Sequence, residues 1–86
     1  MERVLKGDWQ SMVGRTINAV VVCSSEAPPE CQVYLVFADG SNFEIYSHGI
    51  GIIAGGNRVY SGDVAQLLRR MPANRNPVVY TTPTQG

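Results

Sequence analysis

Three consecutive stretches in which apolar side chains recur at every second position constrain this chain more than any other feature. Arg15 to Cys23 sets Ile17, Ala19, Val21 and Cys23 on one side, with Asn18, Val20 and Val22 on the other. Cys31 to Phe37 alternates Cys31, Val33, Leu35 and Phe37 with Gln32, Tyr34 and Val36, and Ser41 to Ser47 alternates Phe43 and Ile45 with Asn42, Glu44 and Tyr46. Side chains of an extended strand point to opposite faces with a period of two, so these runs predict three strands. Two prolines, Pro28 and Pro29, lie in the first connection, and neither can donate to a ladder. The second connection holds Asp39-Gly40, a strong hairpin signal. An antiparallel meander follows.

Its register can be argued from the same pattern. A bare two-residue turn at Asp39-Gly40 would set Val36 beside Phe43 and mix polar with aliphatic faces. A three-residue loop, Ala38-Asp39-Gly40 with Gly40 as a bulge, sets Leu35 opposite Phe43 and Val33 opposite Ile45. The same criterion at the first connection pairs Cys23 with Cys31, Val21 with Val33 and Ala19 with Leu35. The expected core face is then Ile17, Ala19, Val21, Cys23, Val33, Leu35, Phe37, Phe43 and Ile45.

Flanking segments complete the expected architecture. Trp9, Met12 and Val13 recur on one face between Asp8 and Gly14, which predicts a short N-terminal helix. Ile50–Ala54 and Arg58–Tyr60 suggest short glycine-rich strands around a Gly-Gly-Asn turn. Val64, Leu67, Leu68 and Met71 form the stripe of an amphipathic helix over Gly62–Met71, capped by Ser61 and closed by Arg69, Arg70 and Pro72. Val78–Thr82, fenced by Pro77 and Pro83, suggests a last strand. The class is therefore α+β: an antiparallel sheet of four to five strands, the meander plus short glycine-rich strands, with one main amphipathic helix packed on it and a short N-terminal helix. At 86 residues the chain is one small domain, 1–86, with 83–86 frayed.

Composition narrows the function. Seven Lys plus Arg balance seven Asp plus Glu, and this neutrality argues against a nucleic-acid partner, whose affinity draws on excess positive charge. It also removes the self-repulsion that keeps small proteins apart. Charges in Met1–Asp8 argue against a secretory leader, and no run nears the roughly 18 apolar residues of a membrane span. A cytoplasmic protein with reduced cysteines is the expectation.

Several residues invite chemistry. Cys23 and Cys31, if cross-strand neighbours, could be bridged, and two reduced thiols are the preferred alternative. A metal centre is not expected, because four soft ligands are wanted and the single histidine, His48, lies far along the chain. Gly49-Ile50-Gly51-Ile52-Ile53-Ala54 matches the glycine spacing of a dinucleotide site, but Gly55-Gly56 would end the required helix, so no cofactor is expected. His48 beside Ser47 is adjacency and not a catalytic geometry, and the chain is read as leaning away from enzymes. Arg69, Arg70 and Arg75 are explained by the helix dipole and solubility.

The second sheet face carries more information. Val20, Val22, Tyr34, Val36 and Tyr46 would form an uncharged, half-covered surface opposite the core. They are the candidate contact of a homodimer, with another protein as a further partner. The leading function is a small non-catalytic interaction protein. The alternative is a small-molecule binder, or a minor enzyme, with a pocket where His48, Gly49, Gly51 and Arg58 converge.

Overall fold

A computed structural model describes residues 8–26, 29–47, 53–55 and 59–82. It is an α+β fold built on an antiparallel sheet. The strands are β1 (Ile17–Ser24), β2 (Cys31–Phe37), β3 (Ser41–Ser47), β4 (Ile53–Gly55), β5 (Tyr60–Ser61) and β6 (Val78–Thr81), with one α-helix, α1 (Val64–Arg70). The sheet order is β4-β3-β2-β1-β6, and β5 also pairs with β3. Both glycine-rich strands thus lie along β3: Ile45 faces Gly55, and Asn42 faces Tyr60. They do not form a hairpin with each other.

The second hairpin has the bulged turn that the alternation requires. Val33 pairs with Ile45 and Leu35 with Phe43. Gly40 adopts φ +84°, and its N–H donates to the Phe37 carbonyl at 3.1 Å. Asp39 accepts from the Ser41 amide at 2.9 Å and from the Ser41 hydroxyl, and pairs with Arg15 at 2.7 Å. These donors, the Ser41 hydroxyl foremost, hold the Asp39 carboxyl below its ordinary range. The Arg15 guanidinium also lies 5.4 Å from the centre of the Phe37 ring.

The first hairpin differs from expectation by one residue. Cys23 pairs with Gln32, Val21 with Tyr34 and Ala19 with Val36. A one-residue shift moves every side chain to the other face. Ala19, Val21 and Cys23 therefore share a face with Gln32, Tyr34, Val36, Asn42, Glu44 and Tyr46. Val20 and Val22 share the opposite face with Val33, Leu35, Phe43 and Ile45. The reason is visible in β1, which is apolar on both sides, so alternation alone cannot choose its register. What chooses is the helix. The small side chains Ala19, Val21 and Cys23 leave room for α1, and with Val36 and Leu67 they make the buried cluster against which Val64, Leu68, Met71 and Tyr34 pack. A bulge between Ile17 and Ala19 then returns Ile17 to the position opposite Phe37.

The same shift settles the cysteines. Ser24, and not Cys23, lies opposite Cys31, so the two thiols belong to opposite faces. Both are free, Cys23 buried and Cys31 exposed. Burial pushes the Cys23 thiol pKa up, and its sulfur contacts the Met71 sulfur at 3.5 Å.

The helix starts at Val64, the first residue of its apolar stripe, two residues later than a Ser61 cap would set it. Asp63, not Ser61, is the N-cap: it accepts from the Gln66 amide at 3.0 Å, while the Gln66 side chain accepts from the Asp63 amide at 3.2 Å. This reciprocal box satisfies two helix-terminal donors. Gly62, at φ +141°, supplies a backbone conformation that side chains disfavour, and donates to the Gly40 carbonyl at 2.8 Å. The N-terminal segment forms a 3-10 turn, Trp9–Met12, in place of an α-helix. Three residues per turn align Trp9 with Met12 and leave Val13 outside, 70% exposed. The Trp9 ring packs on Phe43 with centroids 5.6 Å apart, and a Cβ at Gly55 would meet it at 2.8 Å. The glycine is what lets the indole close down.

Candidate functional site

Polar residues of β2 and β3 that alternation would send to solvent lie instead on the helix side of the sheet. They form the floor of a groove of about 380 Å³ between the sheet and the C-terminal end of α1. Gln32, Tyr34, Asn42 and Glu44 line the floor; Leu67, Arg70 and Met71 line the helix side. Tyr60, Pro72 and Arg75 close the ends.

The floor is a connected network. Tyr34 stands directly opposite Glu44 in the β2–β3 ladder. Its hydroxyl donates to Glu44 Oε2 at 3.2 Å, and Gln32 Nε2 donates to the same oxygen at 2.6 Å and to the Tyr34 hydroxyl at 3.0 Å. Gln32 is buried, so it is held where its amide has few other partners. Burial pushes the Tyr34 hydroxyl pKa well above its ordinary value, and the neighbouring Glu44 carboxylate adds to the shift. Tyr34 therefore stays a neutral donor throughout the physiological range. At the inner end Asn42, 2% exposed, donates to the Gly62 carbonyl at 2.9 Å and ties β3 to the start of the helix.

Two arginines complete the wall. Arg70 reaches the Ser61 carbonyl at 3.4 Å. Arg75 donates to the Pro29 carbonyl at 2.8 Å, and Asn76 to the Ser24 carbonyl at 3.1 Å. The turn after α1 thus clamps the β1–β2 connection. Asn76 takes a left-handed conformation, φ +50°, which asparagine tolerates better than most residues. The assembled site has one carboxylate, two guanidinium groups, two tyrosines and an aliphatic wall. It can bind through complementary charge and hydrogen bonds. Among the described residues no three His, Cys, Asp or Glu side chains gather where a metal could bind.

The residues singled out from sequence fall in different places. Tyr34, Val36 and Tyr46 belong to the helix face, and Tyr34 lines the groove. Val20 and Val22 belong to the opposite face, so the five do not form one surface. His48, Gly49, Gly51 and Arg58 lie outside the described residues. Gln32 and Glu44 were not singled out, although the β2–β3 register expected from the turn already set Tyr34 opposite Glu44 and Gln32 opposite Tyr46. Three polar groups converging across one ladder were the available signal.

The chain is thus an α+β sheet-and-helix domain with a polar groove on one face. Comparison with protein-family models, with curated protein sequences and with solved structures finds no match. No helix among the described residues is long and apolar enough to cross a membrane.

Proposed function

We propose that the chain is a non-catalytic interaction protein that self-associates through the sheet face turned away from α1. The observation that carries this reading is the apolar character of that face, which meets a charge at the Phe37 end, where the Arg15 guanidinium lies over the ring. Val20, Val22, Val33, Leu35 and Ile45 are only partly buried. Ile17, Val78 and Tyr80 extend the patch and are 54%, 49% and 59% exposed. The register puts no Lys, Arg, Asp or Glu of β1, β2, β3 or β6 on this face. A contiguous apolar patch of a few hundred Å² is comparable with the largest on an ordinary monomer, and such patches are often functional.

A second copy fits the surface on charge. Strands without charged side chains on this face, in a chain of zero net charge, present little repulsion to their own image. The outer strand β6 borders the same surface. Its side chains are exposed along its whole length, and it carries none of the charged residues that usually blunt a sheet edge. Size sets the strength. Four strands at about 4.8 Å spacing and about five residues along each give a patch of roughly 19 by 17 Å. A standard stable interface buries about 800 Å² per partner, more than this patch readily supplies. The expected dimer dissociates on dilution.

Light scattering over a dilution series tests this. The mass should rise with concentration from 9.4 kDa towards twice that value. Val22→Lys should hold the protein at monomer mass, while Val79→Lys, on the helix side of β6, should leave association unchanged. A folded wild-type protein that stays monomeric at the highest concentration sinks the proposal. So does a dimer indifferent to Val22→Lys.

A further inference from the structure

We propose that the groove beside α1 binds a small neutral amide: a carboxamide, urea or lactam. The ligand N–H donates to the side-chain oxygens of Asn42 and Gln32, and its carbonyl accepts from Arg70. The groove opens on the helix side of the sheet. Its occupancy is therefore independent of the self-association proposed for the opposite face.

Two buried amides on the groove floor each use only their nitrogen end. Asn42 is 2% exposed and Gln32 9%. Asn42 Nδ2 donates to the Gly62 carbonyl at 2.9 Å. Gln32 Nε2 donates to Glu44 Oε2 at 2.6 Å and to the Tyr34 hydroxyl at 3.0 Å. A carbonyl and a carboxylate accept only, so these partners fix which end of each amide is the nitrogen. Neither Asn42 Oδ1 nor Gln32 Oε1 accepts from any described residue. Among the described residues the enclosed polar atom without a partner is Trp9 Nε1, which packs with Phe43 on the other face. The two amide oxygens thus keep contact with open space, and the groove they line is that space. An acceptor held this deep without a donor is costly, and a ligand N–H removes the cost.

A donor stands at the same end. A Cβ on Gly62 would lie 2.7 Å from Arg70 Nη2 and 3.2 Å from Asn42 Nδ2, so guanidinium and amide flank one glycine. The one hydrogen bond of Arg70 among the described residues is the 3.4 Å contact with the Ser61 carbonyl. A guanidinium has five N–H donors, so several remain for a ligand carbonyl. Arg75 is engaged at the Pro29 carbonyl and takes no part.

These groups select against a charged ligand. A carboxylate would suit the guanidinium but set its lone pairs against two amide oxygens and the partly buried Glu44. An ammonium would suit the oxygens but meet Arg70. A neutral amide carries acceptor and donor side by side and satisfies both. Leu67, Met71 and Tyr60 line the same 380 Å³, which accommodates a short apolar body.

The test is an NMR titration of the intact chain with benzamide and isovaleramide. Controls are the matching carboxylates, benzoate and isovalerate, and the matching amines, benzylamine and isoamylamine. At least one amide should give saturable shifts at the side-chain NH2 signals of Asn42 and Gln32 and at the Gly62 backbone amide. Its carboxylate and amine should bind at least tenfold more weakly, each having lost hydrogen bonds to buried or charged partners. Arg70→Met, at an exposed position, should weaken the amide about tenfold without disturbing the fold. Gln32→Met, which keeps the volume and removes the acceptor, should weaken it several-fold; Arg70→Met decides where that protein does not fold. The proposal is overturned if neither amide gives saturable shifts at these signals. It is equally overturned if the carboxylate or the amine binds as well as the amide, or if a folded Arg70→Met or Gln32→Met protein binds as wild type.

Discussion

The two faces of this sheet are made from the same strands and do opposite things. On the helix side, small apolar residues of β1 lie under α1, and hydrogen-bonded polar residues of β2 and β3 lie beside it, Gln32 and Asn42 buried and Tyr34 and Glu44 partly so. On the other side, valine, leucine and isoleucine are left partly exposed, closed at one end by Trp9 on Phe43. Polarity and burial are therefore inverted relative to a simple two-layer fold, in which the helix covers the most apolar face. The inversion teaches where function should be sought. Polar groups held out of water point to a ligand site, and apolar groups left near water point to a contact.

The largest expected effect comes from the helix side. Leu67, 5% exposed, is the one fully buried side chain of α1. Leu67→Ala should cost about 3 kcal/mol, within the usual 2–5 for a buried leucine. In a domain of this size that is a large share of total stability, and a urea titration should show the midpoint falling accordingly. If the midpoint barely moves, the helix is not what stabilises this face.

A sharper comparison uses adjacent residues of one strand. Val21 is fully buried beneath the helix; Val22, its neighbour, faces the other way and is only partly buried. Val21→Ala should cost about 2 kcal/mol, from two lost methyl groups at about 0.8 each plus a cavity contribution. Val22→Ala should cost about 1 kcal/mol or less in the monomer. Equal costs, measured at a dilution where association is negligible, would erase the distinction between the faces.

The smallest effect concerns pH. Because the Tyr34 hydroxyl pKa is raised in the folded chain, its contribution to stability is complete below the ordinary tyrosine value near 10 and declines as pH rises above it. Tyr34→Phe should flatten that alkaline loss of stability, measured as the urea midpoint from neutral pH to pH about 11. An unchanged alkaline slope would mean that Tyr34 is less enclosed than the groove geometry implies. Asp39 has the opposite sign: its lowered carboxyl pKa contributes stability above the ordinary carboxylate range, lost as the solution is acidified.

How much of this was legible in the sequence depended on whether a segment's two faces differed. In β2 and β3 they do, and a glycine turn fixed the offset, so the Leu35–Phe43 and Val33–Ile45 pairs could be read directly. In β1 they do not. Val20 and Val22 are as apolar as Ala19 and Val21, so the choice fell to side-chain size under α1, a tertiary effect that periodicity cannot carry. The expected core and the expected contact surface were each divided between the two faces by that single shift. The groove escaped notice for a related reason. Gln32, Asn42 and Glu44 look like solvent-facing residues, and only the helix above them makes them a site. The six-residue connection of the first hairpin, closed by a 3.0 Å bond from Ser25 to the Glu30 carbonyl, offers no turn motif from which its register could have been fixed.

In the proposed dimer the sheet face turned away from α1 meets a second copy of itself. Isotope-filtered NMR on a mixture of labelled and unlabelled chains tests it most directly, because it reports only contacts between molecules. Intermolecular contacts are expected among the methyl groups of Val20, Val22, Val33 and Leu35, with Tyr80 at the margin. Intermolecular contacts confined to Tyr34, Val36 or the α1 surface, or none at concentrations where the mass exceeds the monomer, would contradict it.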